Sequence, residues 1–190
     1  MTNTLKSLLA TALVLFSFHN AQADEYTDTK QVFMNAGESA AYFENAYGYA
    51  LFPTIGKGGM GIGGAHGSGR VFAGGAHVGN TKMTQLSIGW QLGGQAYSQV
   101  IFFEDKRAFE DFTSGNFEFG AQATAVAITA SAGAQATTGG GAQAGAAGGK
   151  NDASTVSGGY RKGMAVFTVA KGGLMYEATV AGQKYSFTPL

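Results

Sequence analysis

A β-rich α+β fold is what this 190-residue chain predicts: a mostly antiparallel, glycine-rich sheet, open or barrel-like, with an N-terminal amphipathic helix and a short second helix. Three observations carry that expectation. Apolar and small or polar residues alternate with period two over 84–92 and again over 117–130, the signature of half-buried strands. Helical spacing is confined to 28–46 and 104–112. Glycine numbers 31 while only 13% of residues are charged, so tight backbone approaches replace much of an ordinary charged surface.

The first 23 residues read as a secretory signal. Lys6 supplies a positive n-region, Leu8 to Phe18 an apolar core too short to span a membrane, and Ala21-Gln22-Ala23 a small-x-small cleavage site. Residues 24–190 then form a single domain of ordinary size. There is no cysteine, hence no lipobox for lipid attachment and no disulfide framework. The expectation is an exported periplasmic or envelope-associated bacterial protein that is not a lipoprotein. Loss of residues 1–23 removes Lys6 and no carboxylate, leaving about one net negative charge. Generic electrostatic attraction to nucleic acid or to anionic membranes is not suggested.

Residues 28–46 read as one amphipathic helix, with Asp28 as N-cap and Val32, Ala36, Ala40, Phe43 and Tyr47 on its apolar side. Tyr49 to Pro53 reads as a short buried strand stopped by Pro53. A glycine-rich strand follows, with Met60, Ile62 and His66 on one face and Gly61, Gly63, Ala65 and Gly67 on a bare one, open to close approach. Thr84, Leu86, Ile88, Trp90 and Leu92 are expected to be buried opposite a wet face of Gln85, Ser87, Gly89, Gln91 and Gly93. Val100 to Phe103 predicts a central strand. Glu104 to Phe112 predicts a short helix with Glu104 and Asp105 at its dipole-favoured start. The alternating segment 117–130 reads as one strand whose alanines invite a close neighbouring layer. Residues 131–151 are low-complexity and predict a loop. Strands are then expected over 153–160, 163–170 and 174–181, with Lys171-Gly172-Gly173 turning the last pair, and over 184–187.

Chemistry-bearing motifs are weak. Gly56-Lys57-Gly58-Gly59-Met60-Gly61 satisfies G-x-G-x-x-G, yet the following glycines are unsuited to the helix that would receive phosphates, and Lys57 lacks the Ser or Thr of a P-loop. No nucleotide or cofactor is expected. His19 leaves with the signal, and His66 and His77 lack metal-ligand spacing, so no metal is expected. Ser68 shares a face with His66 but lies about 7 Å along the strand, outside hydrogen-bond reach. Lys106–Glu110 and Arg107–Asp111 are i,i+4 ion pairs on a helix surface rather than an acid–base set. No enzyme is implied.

The apolar run with Phe52-Pro53 leading into KGGMGIGG, then IGWQLGGQAYSQVIFF at 88–103, EDKRAFEDF at 104–112, FEFGAQATAV at 117–126 and YRKGMAVFTVAKGGLMYEATV at 160–180, resembles the SYLF domain, also called the Ysc84 or DUF500 domain. The resemblance covers nearly everything after residue 30. It implies a non-enzymatic lipid-binding module; eukaryotic members bind phosphoinositides and are linked to actin, and bacterial members are mostly exported. On that implication, Phe43, Tyr47, Phe52 and Trp90 are candidates for apolar lipid contacts, and Lys57, Arg70, Lys82, Arg161 and Lys162 for lipid phosphates. The acidic first helix departs from the basic helix of the eukaryotic phosphoinositide binders, which favours apolar over electrostatic attraction. Two rivals remain: a small outer-membrane β-barrel, and a protein-interaction module of unknown partner, for which the actin link of eukaryotic members is the precedent.

Overall fold

The computed structural model describes residues 25–89, 95–120, 123, 125–128, 159–171 and 180–190. In chain order they form α1 (25–35), α2 (Gly37–Asn45), β1 (Gly48–Ala73), β2 (Ala76–Gly89), β3 (Gln95–Phe103), α3 (Lys106–Thr113), β4 (Phe117–Glu118), β5 (Val126–Ile128), β6 (Met164–Lys171) and β7 (Lys184–Pro189). The strands make one curled sheet in the order β4-β7-β2-β1-β3-β6-β5, a half-barrel. Every pairing is antiparallel except β5 on β6. The expectations for residues 1–23, 131–151, 153–158 and 172–179 lie outside the described residues.

The glycines shape β1. Its first half pairs with β3 and its second half with β2. The two halves also meet face to face. A Cβ added at Gly67 would lie 2.6 Å from Cγ1 of Ile55 and 3.0 Å from the Thr54 carbonyl oxygen. One at Gly69 would lie 2.7 Å from the Phe52 ring and 2.8 Å from the Leu51 carbonyl oxygen, and one at Gly48 would collide with the Phe72 carbonyl oxygen. The bare face is therefore filled by Phe52 and Ile55 of the same strand, both fully buried. Pro53 does not stop the strand, as the sequence suggested. It sits in a register shift between Phe52 and Ile55, where its missing N–H is tolerated, and its carbonyl accepts from Ser98 Oγ at 2.7 Å.

Two layers of apolar side chains cover the sheet. Inside the curl lie Ala50, Phe52, Ile55, Val71, Met83, Ile101, Phe103, Val166 and Tyr185, capped by Ala108 and Phe112 of α3. Outside, Tyr49, Leu51, Val100, Phe102, Phe167 and Val169 are covered by α1 and α2 through Phe33, Tyr42 and Phe43. The single helix expected over 28–46 is broken at Ala36, whose backbone is extended. Ser39 Oγ donates to the Phe33 carbonyl at 2.6 Å, satisfying an orphan acceptor at the end of α1. Asp28 lies inside α1 rather than capping it, and the buried side runs through Thr29 and Phe33 while Val32 is exposed. The short second helix is as expected. Asp105 caps α3 by accepting from the Ala108 N–H at 2.8 Å, and Lys106–Glu110 and Arg107–Asp111 pair at 3.0 and 3.4 Å.

The segment 117–130 is not one strand. Phe117–Glu118 lies on one edge of the sheet against β7, and Val126–Ile128 on the other edge against β6. Between them, Phe119, Ala123 and Ala125 pack on the inner core. Phe119 and Ala123 exchange backbone hydrogen bonds with Val180, Gly182 and Gln183 there.

The phase of β2 is the opposite of that expected. Met83 is fully buried, Gln85 turns toward the interior, and Thr84 and Leu86 face solvent. Gly74 and Gly75 take positive φ in a two-residue turn, and a register shift follows at Val71/Phe72. Beyond it Gly67 pairs with Met83 and Ala65 with Gln85, so whatever lies opposite the bare face of β1 must also point inward.

Candidate functional site

One half of the outer sheet surface lies beyond the helical cover. There β1, β2 and β7 set side chains in rows: His66, Thr84 and Lys184; Ser68, Lys82 and Ser186; Arg70, Asn80 and Thr188. All are exposed or half-exposed, and none is acidic. Lys184 is engaged by Glu118 on β4 at 3.5 Å. Among the described residues, Arg70 and Lys82 have no carboxylate within 4.0 Å.

Where α1 meets this face there is a cleft of about 220 Å³ lined by Tyr26, Ser68, Gly69, Arg70, Asn80, Thr81 and Lys82. The Arg70 guanidinium lies 4.2 Å from the centre of the Tyr26 ring, a cation–π stack. Burial pushes the Tyr26 phenol up, with the Arg70 charge opposing and the Glu25 charge adding to the shift, so the phenol stays neutral at ordinary pH. Glu25 is turned to another partnership: it accepts from Thr54 Oγ1 at 2.7 Å and meets Lys171 Nζ at 3.4 Å.

The interior holds a second polar group. Gln99 Nε2 donates to Tyr185 Oη at 2.7 Å and to Gln183 Oε1 at 3.1 Å, and Gln183 Nε2 donates to Tyr97 Oη at 3.1 Å. Burial pushes both phenols well up, against the hydrogen bonds from Gln183 to Tyr97 and from Gln99 to Tyr185. These bonds tie β7 and the preceding turn to the central strand β3. They are a structural clasp, sealed from solvent.

The residues proposed from the sequence are therefore dispersed. Arg70 and Lys82 come together in the cleft. Lys57 is half-buried on β1 opposite Gln95, outside the cleft lining. Arg161 and Lys162 form the turn into β6, whose Gly163 carbonyl accepts from the Glu104 N–H at the α3 end. Phe52 is fully buried over Gly69 and has no surface to offer a lipid. Phe43 is half-buried, its ring 4.8 Å from Phe102 and 5.1 Å from Tyr49. Tyr47 is partly exposed and leans on Phe109. Trp90 lies outside the described residues. Sequence reading missed Tyr26, Asn80 and Leu86. Leu86 is 86% exposed, because its neighbour on β1 is Gly64 and β7 pairs no further than Thr84.

Among the described residues no group of three or more His, Cys, Asp or Glu could hold a metal ion, and no helix is long and apolar enough to cross a membrane. A family model described as "Ysc84: Las17-binding protein actin regulator" matches residues 84–188. The chain is also similar to "Beta cell expansion factor A" of Aeromonas veronii, with 29% identity over 168 residues, 87% of this chain and 54% of the relative. It thus spans about half the length of that curated relative.

Proposed function

The chain belongs to the Ysc84 (SYLF) family, and on that premise we propose that it is a non-enzymatic module of the bacterial envelope, exported by its N-terminal signal, that docks on lipid surfaces. The supporting observation is the outer face of β2. Along it, Asn80, Lys82, Thr84 and Leu86 are all exposed, so a cation and a bare leucine share one line. A single exposed leucine is ordinary. Here the sequence continues at the same alternate positions with Ile88, Trp90 and Leu92. Four residues of strand separate Lys82 from Leu86 by about 13 Å. That exceeds the roughly 5–8 Å of headgroup region on each side of a bilayer. With Lys82 among lipid phosphates, Leu86 reaches acyl chains.

This orientation makes attraction apolar first and electrostatic second. Trp90 is the only tryptophan, so its fluorescence reports this end of β2. On adding neutral or anionic vesicles its emission is expected to shift to the blue and to be quenched by lipids brominated on the acyl chain. Cosedimentation should persist at about 0.5 M salt, where the Debye length is only a few Å, and should fall several-fold in Leu86→Asp with unchanged circular dichroism. Protein that stays in the supernatant with every vesicle, its emission unmoved, refutes the proposal.

A further inference from the structure

We propose that the cleft between Tyr26 and the Arg70–Lys82 face is an oxyanion site that takes a single phosphate group. Cross-strand pairing places Ser68 beside Lys82 and Arg70 beside Asn80, all on one face. Arg70 and Lys82 lie on the diagonal of that rectangle, about 7–8 Å apart and somewhat closer at Cβ, a span long side chains close around a shared anion. The four side chains offer guanidinium, ammonium, hydroxyl and amide donors, and no acidic residue lines the cleft.

Tyr26 decides how Arg70 is presented. The Tyr26 ring, 4.2 Å from the guanidinium carbon, steadies Arg70 on one side, and among the described residues no carboxylate lies within 4.0 Å to engage its N–H groups, so a bidentate contact with an anion is open to it. Tyr26 is thus a positioning residue. The cleft's own competitor, Glu25, is held by Thr54 and Lys171. A tetrahedral anion can draw on donors from both strands at once, whereas a carboxylate offers two oxygens. Two cations match a monoester with its charge of about −1.5 to −2, and they more than neutralise the single charge of a phosphodiester. Several phosphates on one ring would find no further cations in the lining.

The biological source of that phosphate rests on the lipid-surface reading; the chemistry of the cleft does not. The test is amide-resolved NMR of the protein titrated with inorganic phosphate, against chloride at equal ionic strength. Amides of Ser68, Arg70, Asn80 and Lys82 should move saturably with phosphate and stay still with chloride. Arg70→Gln should weaken binding at least tenfold. Arg70→Lys, which keeps the charge but loses the planar fork, should weaken it at least threefold. Equal shifts with chloride, a non-saturable response, or an Arg70→Lys variant that binds like the parent overturns the site. With phosphatidylglycerol vesicles at low salt, Arg70→Gln should bind several-fold more weakly, whereas Leu86→Asp should lose vesicles and keep phosphate. If phosphate binds at Arg70 and Arg70→Gln leaves vesicle binding unchanged, the site stands and its lipid source is refuted. If vesicles bind and phosphate does not, the site falls and the lipid reading stands.

Discussion

Gly69→Ala tests the fold-back of β1 with one methyl group. Its Cβ would lie 2.7 Å from two carbons of the Phe52 ring and 2.8 Å from the Leu51 carbonyl oxygen. Ordinary Cβ contacts are longer, so one of these neighbours must move. The ring is fully buried, and its motion would disturb the rings and aliphatic groups packed around it. The oxygen belongs to a strand pinned to β3 through the Leu51–Val100 pair. Overpacking of this kind costs about 1–3 kcal/mol, and for a chain of this size each kcal/mol moves the Tm by roughly 2–4 °C. A fall of about 2–12 °C is therefore expected in thermal unfolding followed by circular dichroism. Gly58→Ala is the internal control: it lies in the same strand, an added Cβ meets nothing within 4 Å, and its φ is not in the left-handed region. It should be neutral or slightly stabilising. If the two variants melt together, the bare face is not a packing surface and the account of β1 is wrong.

Removing the cap of α3 with Asp105→Ala should cost about 1 kcal/mol and lower the Tm by roughly 2–4 °C, while Asp105→Asn should keep most of the parent stability; equal melting of all three would show the cap idle. Alkaline titration should be biphasic, because burial raises the phenols of Tyr26, Tyr42, Tyr49, Tyr97 and Tyr185 and lifts that of Tyr160 to about 12, where Tyr42 and Glu104 add to the shift. These groups are neutral in the fold. Their contribution is complete below the ordinary tyrosine value near 10 and is lost as pH rises through the folded values. Tyrosinate absorbance should thus lag and then rise with loss of the circular dichroism signal. One reversible step near pH 10 with the fold intact would contradict the burial of these rings.

Local features were legible in the sequence and long-range ones were not. The ion pairs and approximate extent of α3 follow from residues within four positions of one another, and Lys106 and Glu110 behave accordingly, whereas Asp105, read as a dipole-favoured first-turn acid, proves to be the cap. The bare face of β1 was also readable, because glycine alternation has few other uses. Its filler was not: Phe52 reads as a candidate for lipid contact until the strand is seen to return on itself. The split of 117–130 between opposite edges was equally hidden, since alternation reports that a segment is extended and not which strands it joins. For the cleft, Arg70 and Lys82 could be named from their charge alone. Tyr26 could not, since its role depends on where α1 lands on the sheet.

The inverted phase of β2 comes down to one residue. Between Ala73 and Phe72 on β1 and Ala76 and His77 on β2, the pairing follows directly from the glycine turn. Continued unshifted, it would set Gly67 opposite Lys82 and Gly63 opposite Leu86, placing Lys82, Thr84 and Leu86 inside, as alternation suggests. The shift at Val71/Phe72 instead sets Gly67 opposite Met83. The two arrangements differ chiefly in what they bury. Exposing Leu86 forgoes about 1.5–3 kcal/mol of apolar burial. Enclosing Lys82 without a counter-charge costs several kcal/mol per ion even after relaxation, and Met83 would lose its own place in the core. The charge wins. Its consequence is a strand whose outer face carries Lys82 and Leu86 in one line, so the same bulge that keeps a lysine out of the core also creates the surface proposed to meet lipid.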